Sequence, residues 1–184
     1  MTLVVVLVVI AVVVLAAILL YNKLIALRVR GANAWADIDV QLKRRADLVP
    51  NLVDTVKGYA THERETLDSV TQARTRAVAA QRGSPAERAA PEGALGTALR
   101  GLNVAVEAYP ELQASAGFRD LQAQLANIEE AVQSSRRYYN AVVRDYNTSI
   151  MTFPAMLLAR PMGFNGMEFF EVEGGDRDVP RVDI

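Results

Sequence analysis

Leu3 to Leu20 reads LVVVLVVIAVVVLAAILL, a run without one charged or polar side chain. From Ala34 onward the apolar positions change to three-and-four spacing. Ile38, Leu42, Val49, Val53, Val56, Ala60, Leu67, Val70 and Ala77 make one stripe, with Ala46 and Glu63 as weaker members. That spacing predicts amphipathic helix. Pro50 interrupts it, and because a proline pushes its predecessor away from the helical region, a kink or restart is expected near Val49–Asn51. Gly58 is a further weak point, and Thr61 is placed to cap a restart. Gln81 to Gly93, QRGSPAERAAPEG, has two prolines and two glycines and reads as a polar connecting loop. Helix resumes over Ala94–Ala108, with Leu95, Leu99, Leu102 and Val106 on one side, and Tyr109-Pro110 ends it.

The strongest periodicity follows. Phe118, Leu121, Leu125, Ile128, Val132, Ser135, Tyr139, Val142, Tyr146 and Ser149 alternate spacings of three and four without a slip. This is a 3.5-residue repeat, the mark of left-handed bundle or coiled-coil packing. It puts Val132 inside and Glu130 outside. Phe153-Pro154 closes the helix, and no segment alternates with period two for long enough to make a strand. The pattern predicts an all-α protein: a single N-terminal transmembrane helix, then an antiparallel three- to four-helix bundle with coiled-coil-like packing. The divisions are an anchor over 1–21, a bundle over 22–160, and over 161–184 an aromatic patch, GFNGMEFFEV, followed by an acidic end expected to be disordered.

The apolar run is about 27 Å long as a helix, close to the hydrocarbon thickness of a bilayer. In lipid the backbone must satisfy its own hydrogen bonds, so the run is expected to be helical despite its valines. Tyr21 follows at the interface, then Lys23, Arg28 and Arg30. A cleaved signal is the rival reading, but no basic segment precedes the run, it exceeds the usual apolar core of such signals, and no A-x-A site closes it. An uncleaved anchor is expected. The basic excess after the span predicts a protein of the inner (plasma) membrane with its N-terminus outside and its C-terminal domain in the cytoplasm.

Composition narrows the chemistry. The 184 residues carry a formal net charge of −1, which gives no bulk attraction to nucleic acid. There is no cysteine, so disulfides, Fe–S clusters and Cys-based zinc sites are excluded. His62 is the only histidine, in HERE, and lacks the second histidine that H-E-x-x-H requires. Neither phosphate-binding glycine motif is present. No nucleophile-and-base constellation can be assembled, so no catalytic residue, metal or cofactor is predicted. Lys43-Arg44-Arg45 reads as a topology signal or as partners for Asp37, Asp39 or Asp47. Tyr139-Asn140 and Tyr146-Asn147 repeat at one heptad. Their tyrosines read as seam residues with hydroxyls at the bundle edge, and their asparagines as simple packing or as register-setters. Trp35 belongs either to the core or to the interface.

Four stretches resemble the LemA family of bacterial membrane proteins. They are NAWADIDVQLKRRADLVPNLVDTVKGYATHERETL (Asn33–Leu67), AYPELQA (Ala108–Ala114), SSRRYYNAVVRDYNTSIMTFP (Ser134–Pro154) and MEFFEV (Met167–Val172). The resemblance implies an N-terminal anchor, a cytoplasmic helical bundle, no established enzymatic activity and an envelope- or membrane-associated role. Two functions follow as expectations. The first is a structural scaffold in the lipid bilayer that forms a homo-oligomer through its helical faces. The second is an accessory subunit that docks to another membrane protein, such as a protease or transporter, through an exposed aromatic patch containing Phe164, Phe169 and Phe170. Trp35, Pro50, Tyr139, Asn140, Tyr146 and Asn147 complete the candidate interaction and register residues.

Overall fold

The computed structural model describes residues 1–60 and 63–171. Thr61, His62 and the acidic end from Glu173 lie outside the described residues, and with them the expected cap, the histidine and the expected disorder. The fold is all-α: helix α1 spans Thr2–Lys57, α2 Arg64–Ala79, α3 Pro85–Val106, α4 Pro110–Ala114, α5 Ala116–Met151 and α6 Met156–Ala159. A 3₁₀ turn, Ala80–Arg82, joins α2 to α3. Among the described residues there is no strand.

Helix α1 is one uninterrupted rod of 56 residues, about 84 Å long at 1.5 Å per residue. Its apolar first third is exposed apart from the partly covered Ala17 and Leu20, and is long and apolar enough to cross a membrane. Its second part enters the bundle, burying Leu24, Ala34, Ile38, Leu42, Val49, Leu52, Val53 and Val56. The restart expected at Pro50 does not occur. The missing N–H of a proline strands the carbonyl four residues earlier, here that of Ala46, and the Arg74 Nε–H donates to that carbonyl at 2.8 Å. A side chain from α2 thus replaces the bond that Pro50 removes.

The loop expected over Gln81–Gly93 is also corrected. Ser84 caps α3 through a complete capping box: its hydroxyl accepts from Glu87 N–H, and the Glu87 carboxylate accepts from Ser84 N–H at 2.8 Å. Pro85 sits at the first helical position, where its missing N–H is harmless. The helix then continues through Pro91. Ser-Pro-Ala-Glu is a start signal, and two prolines concealed it.

Above the level of Asp39 the molecule is an up-down-up-down bundle of α1, α2, α3 and α5. Its core holds Leu52, Val56, Leu67, Val70, Leu95, Leu99, Leu102, Val106, Leu112, Phe118 and Leu125. Tyr109 Oη–H donates to Glu63 at 3.0 Å across the top. The α5 seam is filled from within the same chain: Phe118, Leu125, Val132, Tyr139, Val142 and Tyr146 are buried, while Glu130 is exposed. Below that level α2 is absent and α3 reaches only with its first turns, Ala89 joining the lower cluster and Ala86 N–H donating to the Glu168 carboxylate. The two helices measure about 24 and 33 Å, against about 54 Å for α5, so a stretch of the α1–α5 pair would lie bare. The terminal segment, residues 163–171, closes it.

Candidate functional site

The path of the terminal segment is set by the end of α6. Gly163 has φ +75°, in the left-handed region that favours glycine. Phe164 N–H donates to Ala159 O at 2.9 Å and Gly163 N–H to Arg160 O at 3.2 Å, the bond pair of a Schellman stop. The stop turns Phe164 inward against Leu24, Tyr146, Ala155 and Ala159. From there the chain runs antiparallel to α5, held almost entirely by side chains of that helix.

The hold is a ladder. Asn147 donates to Met167 O at 2.9 Å and accepts from Met167 N–H at 2.8 Å. Asn140 does the same to Phe170, at 3.1 and 3.0 Å. Each side-chain amide therefore satisfies both backbone groups of one residue, as a neighbouring strand would. The two tyrosines interleave: Tyr146 Oη–H donates to Asn165 O at 2.9 Å and Tyr139 Oη–H to Glu168 O at 2.7 Å. The register is geometric. Seven residues of helix rise about 10.5 Å, and three residues of extended chain span about 10 Å, so asparagines one heptad apart meet residues 167 and 170. Gly31 on α1 leaves the space that the Met167 thioether fills.

Burial pushes the Tyr139 hydroxyl up to about 12, with the nearby Glu168 carboxylate adding to the effect. The Tyr146 hydroxyl is also raised by burial, partly offset by the Arg28 guanidinium. Both remain neutral donors at physiological pH.

Beside the ladder lies a buried charge cluster. Arg45, Arg88 and Glu92 are 1–3% exposed. Glu92 receives Arg45 at 2.6 Å on one carboxylate oxygen and faces Arg88 at 3.6 Å with the other. Arg45 also reaches Glu129 at 3.0 Å and the Glu92 carbonyl at 3.0 Å; Arg88 reaches Asp39 at 2.6 Å. Two guanidiniums thus share three carboxylates from α1, α3 and α5. Arg88 also stands 5.2 Å over the Trp35 ring, and that ring lies 5.4 Å from both Tyr139 and Phe170. Trp35 joins the charge cluster to the ladder.

The structure therefore brings together Trp35, Tyr139, Asn140, Tyr146, Asn147, Phe164 and Phe170, with Phe169 partly buried alongside. Pro50 lies apart, in the upper bundle. The aromatic patch is not free: Phe164 and Phe170 are buried in their own chain. The asparagines bond the terminal backbone rather than another helix. Of the basic cluster, Arg45 is buried and pairs with Glu92 and Glu129 instead of Asp37, Asp39 or Asp47, while Lys43 and Arg44 are exposed. Arg88, Glu92 and Glu129 were missed. The signal for the first two was the capping box followed by an Arg–Glu pair one helical turn apart. Among the described residues, no group of three or more His, Asp or Glu side chains is placed to hold a metal.

The residues of the ladder and of the charge cluster all fall within residues 34–184, which match the model of the LemA family. The chain belongs to the LemA family. It is also similar to individual LemA-related proteins. Magnetosome protein MamQ of Magnetospirillum gryphiswaldense is 25% identical, aligned over 86% of this chain and 68% of its own length. Protein LemA of Metamycoplasma hominis is 27% identical, over 83% of this chain and 67% of its own length. Magnetosome protein MamQ 1 of Paramagnetospirillum magneticum is 26% identical, over 86% and 68%. The site of this LemA-family protein is a set of bonds that fix one chain segment on another: the ladder pairs its donors and acceptors, while in the buried cluster Arg45 Nε, Arg88 Nε and Arg88 Nη2 have no hydrogen-bond partner.

Proposed function

We propose that this protein is a non-enzymatic, membrane-anchored scaffold that holds a helical domain at a fixed height and attitude beside the bilayer and self-associates there. One observation carries the reading: α1 passes from its apolar third into the core of the bundle without a break. A domain that must search for substrate is served by a flexible tether. A continuous helix instead transmits orientation, which suits a subunit that packs beside identical neighbours in one plane. Confinement to a membrane raises the effective concentration, so weak lateral contacts suffice, and closed rotational symmetry about the membrane normal is the natural arrangement.

Because the heptad seam of α5 is filled from within the chain, assembly rests on the outer, charged faces of the helices. It is therefore expected to weaken with salt. Relatives named for the magnetosome, together with the family itself, support a membrane-associated role. The proposed orientation keeps the bundle in the cytoplasm. The accessory-subunit reading loses its main support, since the aromatic patch it relied on is buried. Light scattering of the full-length protein after size exclusion in mild detergent tests the proposal. A closed oligomer that dissociates as salt rises is expected; a monomer at every concentration would overturn it.

A further inference from the structure

Large apolar side chains exposed on the bundle are mostly scattered singly, as at Val40, Tyr59, Val78, Val104 and Tyr138. One stretch is different. Between the end of α5 and Gly163 the chain reads MTFPAMLLARPMG, and its Met151, Phe153, Met156, Leu157 and Met162 all face outward. Phe153 is 76% exposed and Leu157 61%. The same stretch buries its small residues, Ala155 and Ala159. It is amphipathic with the large side chains turned away from the protein, the reverse of what a packed surface helix requires.

Its position gives the reason. Ala155, Ala159 and Phe164 pack with Leu24, and Leu20, Ile25 and Leu27 line the same cluster. Tyr21 meets Phe164 edge-on at 5.6 Å. The stretch therefore lies against the first two turns of α1 beyond the apolar run. Leu24 is four residues past Leu20, a rise of about 6 Å. The polar interfacial layer on each side of a bilayer is about 5–8 Å thick. The only charged residue from 151 to 163 is Arg160, and Lys23 and Arg28 stand exposed on the adjoining turns of α1. Apolar side chains backed by cationic ones, with no carboxylate between them, match acyl chains beneath anionic head groups.

We propose that residues 151–162 form a second membrane contact, a foot whose Phe153, Met156, Leu157 and Met162 side chains enter the bilayer interface beside the α1 span. This rests on the reading of Leu3–Leu20 as a membrane span. Two contacts rather than one then fix the tilt of the bundle, and the Schellman stop at Gly163 ties the foot to the ladder on α5.

The cysteine-free chain allows single-site labelling of the full-length protein. Nitroxide labels are placed at Val9→Cys, Val104→Cys, Phe153→Cys and Leu157→Cys in vesicles of phosphatidylcholine and phosphatidylglycerol. Collision with oxygen, which partitions into lipid, is compared with collision with a water-soluble nickel chelate. The labels at 153 and 157 are expected to favour oxygen several-fold over the label at 104, in the direction of the label at 9. If 153 and 157 instead behave like 104 while 9 sits in hydrocarbon, the foot is overturned and the span stands. A label at 9 that the nickel chelate reaches overturns the span itself, and the foot with it. Labels at 153 and 157 shielded from both reagents, with spin–spin broadening relieved by unlabelled chain, would mean that a second copy covers the patch, and would also overturn the proposal.

Discussion

The upper and lower halves of the bundle solve the same packing problem differently. Above Asp39, four helices enclose a core of leucine, valine and alanine with Phe118, and the helices largely satisfy their own backbones, the Ala46 carbonyl that Pro50 strands being met by Arg74. Below, α1 and α5 face each other with only a thin terminal segment to complete them, and that segment has no partner strand. Its backbone groups need donors and acceptors, and Tyr139, Asn140, Tyr146 and Asn147 supply them. The aliphatic half depends on volume and shape. The lower half depends on directional bonds and on buried charges near its upper edge, so it is more specific and more easily broken by a single polar deletion.

The largest expected effect is at the charge cluster. Glu92→Ala leaves Arg45 and Arg88 buried around a missing carboxylate and should cost about 3–5 kcal/mol. Replacing all three with apolar residues (Arg45→Met, Arg88→Leu, Glu92→Leu) should recover most of that loss. Thermal melts in detergent measure both, and a triple variant as unstable as Glu92→Ala would show that the cluster does more than balance itself. In the upper half, Leu102→Ala should cost about 3 kcal/mol through the cavity it leaves, and the melt should stay cooperative.

The ladder comes next. Asn140→Ala with Asn147→Ala removes four hydrogen bonds worth about 1 kcal/mol each, offset in part by the better helix propensity of alanine. The net cost is expected to be about 3 kcal/mol, with a sharper local signature: protease cleavage within residues 163–171 rises while helix content holds. Unchanged cleavage would mean that Phe164 and Phe170 hold the segment without the asparagines.

The smallest effect is one of pH. An unfolded tyrosine titrates at about 10, while Tyr139 in the fold is raised to about 12. Below pH 10 the hydroxyl is neutral in both states and its contribution is intact. Between 10 and 12 the unfolded chain ionises first, so stability falls as pH rises. Tyr139→Phe, less stable at neutral pH for want of the bond to Glu168 O, should lose less over that interval. Equal slopes in the two proteins would remove the burial assigned to this hydroxyl.

Much of the fold was legible in the amino-acid order because burial with a fixed period is a local property. The positions of α5 from Phe118 to Ser149 repeat every 3.5 residues, so one face must be covered whatever covers it. The apolar run likewise fixes the character of the first third of α1. Three-dimensional structure alone decided the partners. Whether the α5 seam met its own chain or another depended on α1 running the full length beside it. Pro50 became harmless because Arg74 arrives from another helix at the Ala46 carbonyl. Asn140 and Asn147 look like weak points in a helix until Met167 and Phe170, 20 and 30 residues further on, come within reach of their amides. Arg88 and Glu92 sat in a stretch read as a loop, and nothing local to them says that from α1 Arg45 closes on Glu92 and Asp39 receives Arg88. An apolar side chain needs only to leave water, and its spacing tells which side it leaves from. A buried polar group needs one particular atom at one distance, and that atom is supplied by a segment far along the chain.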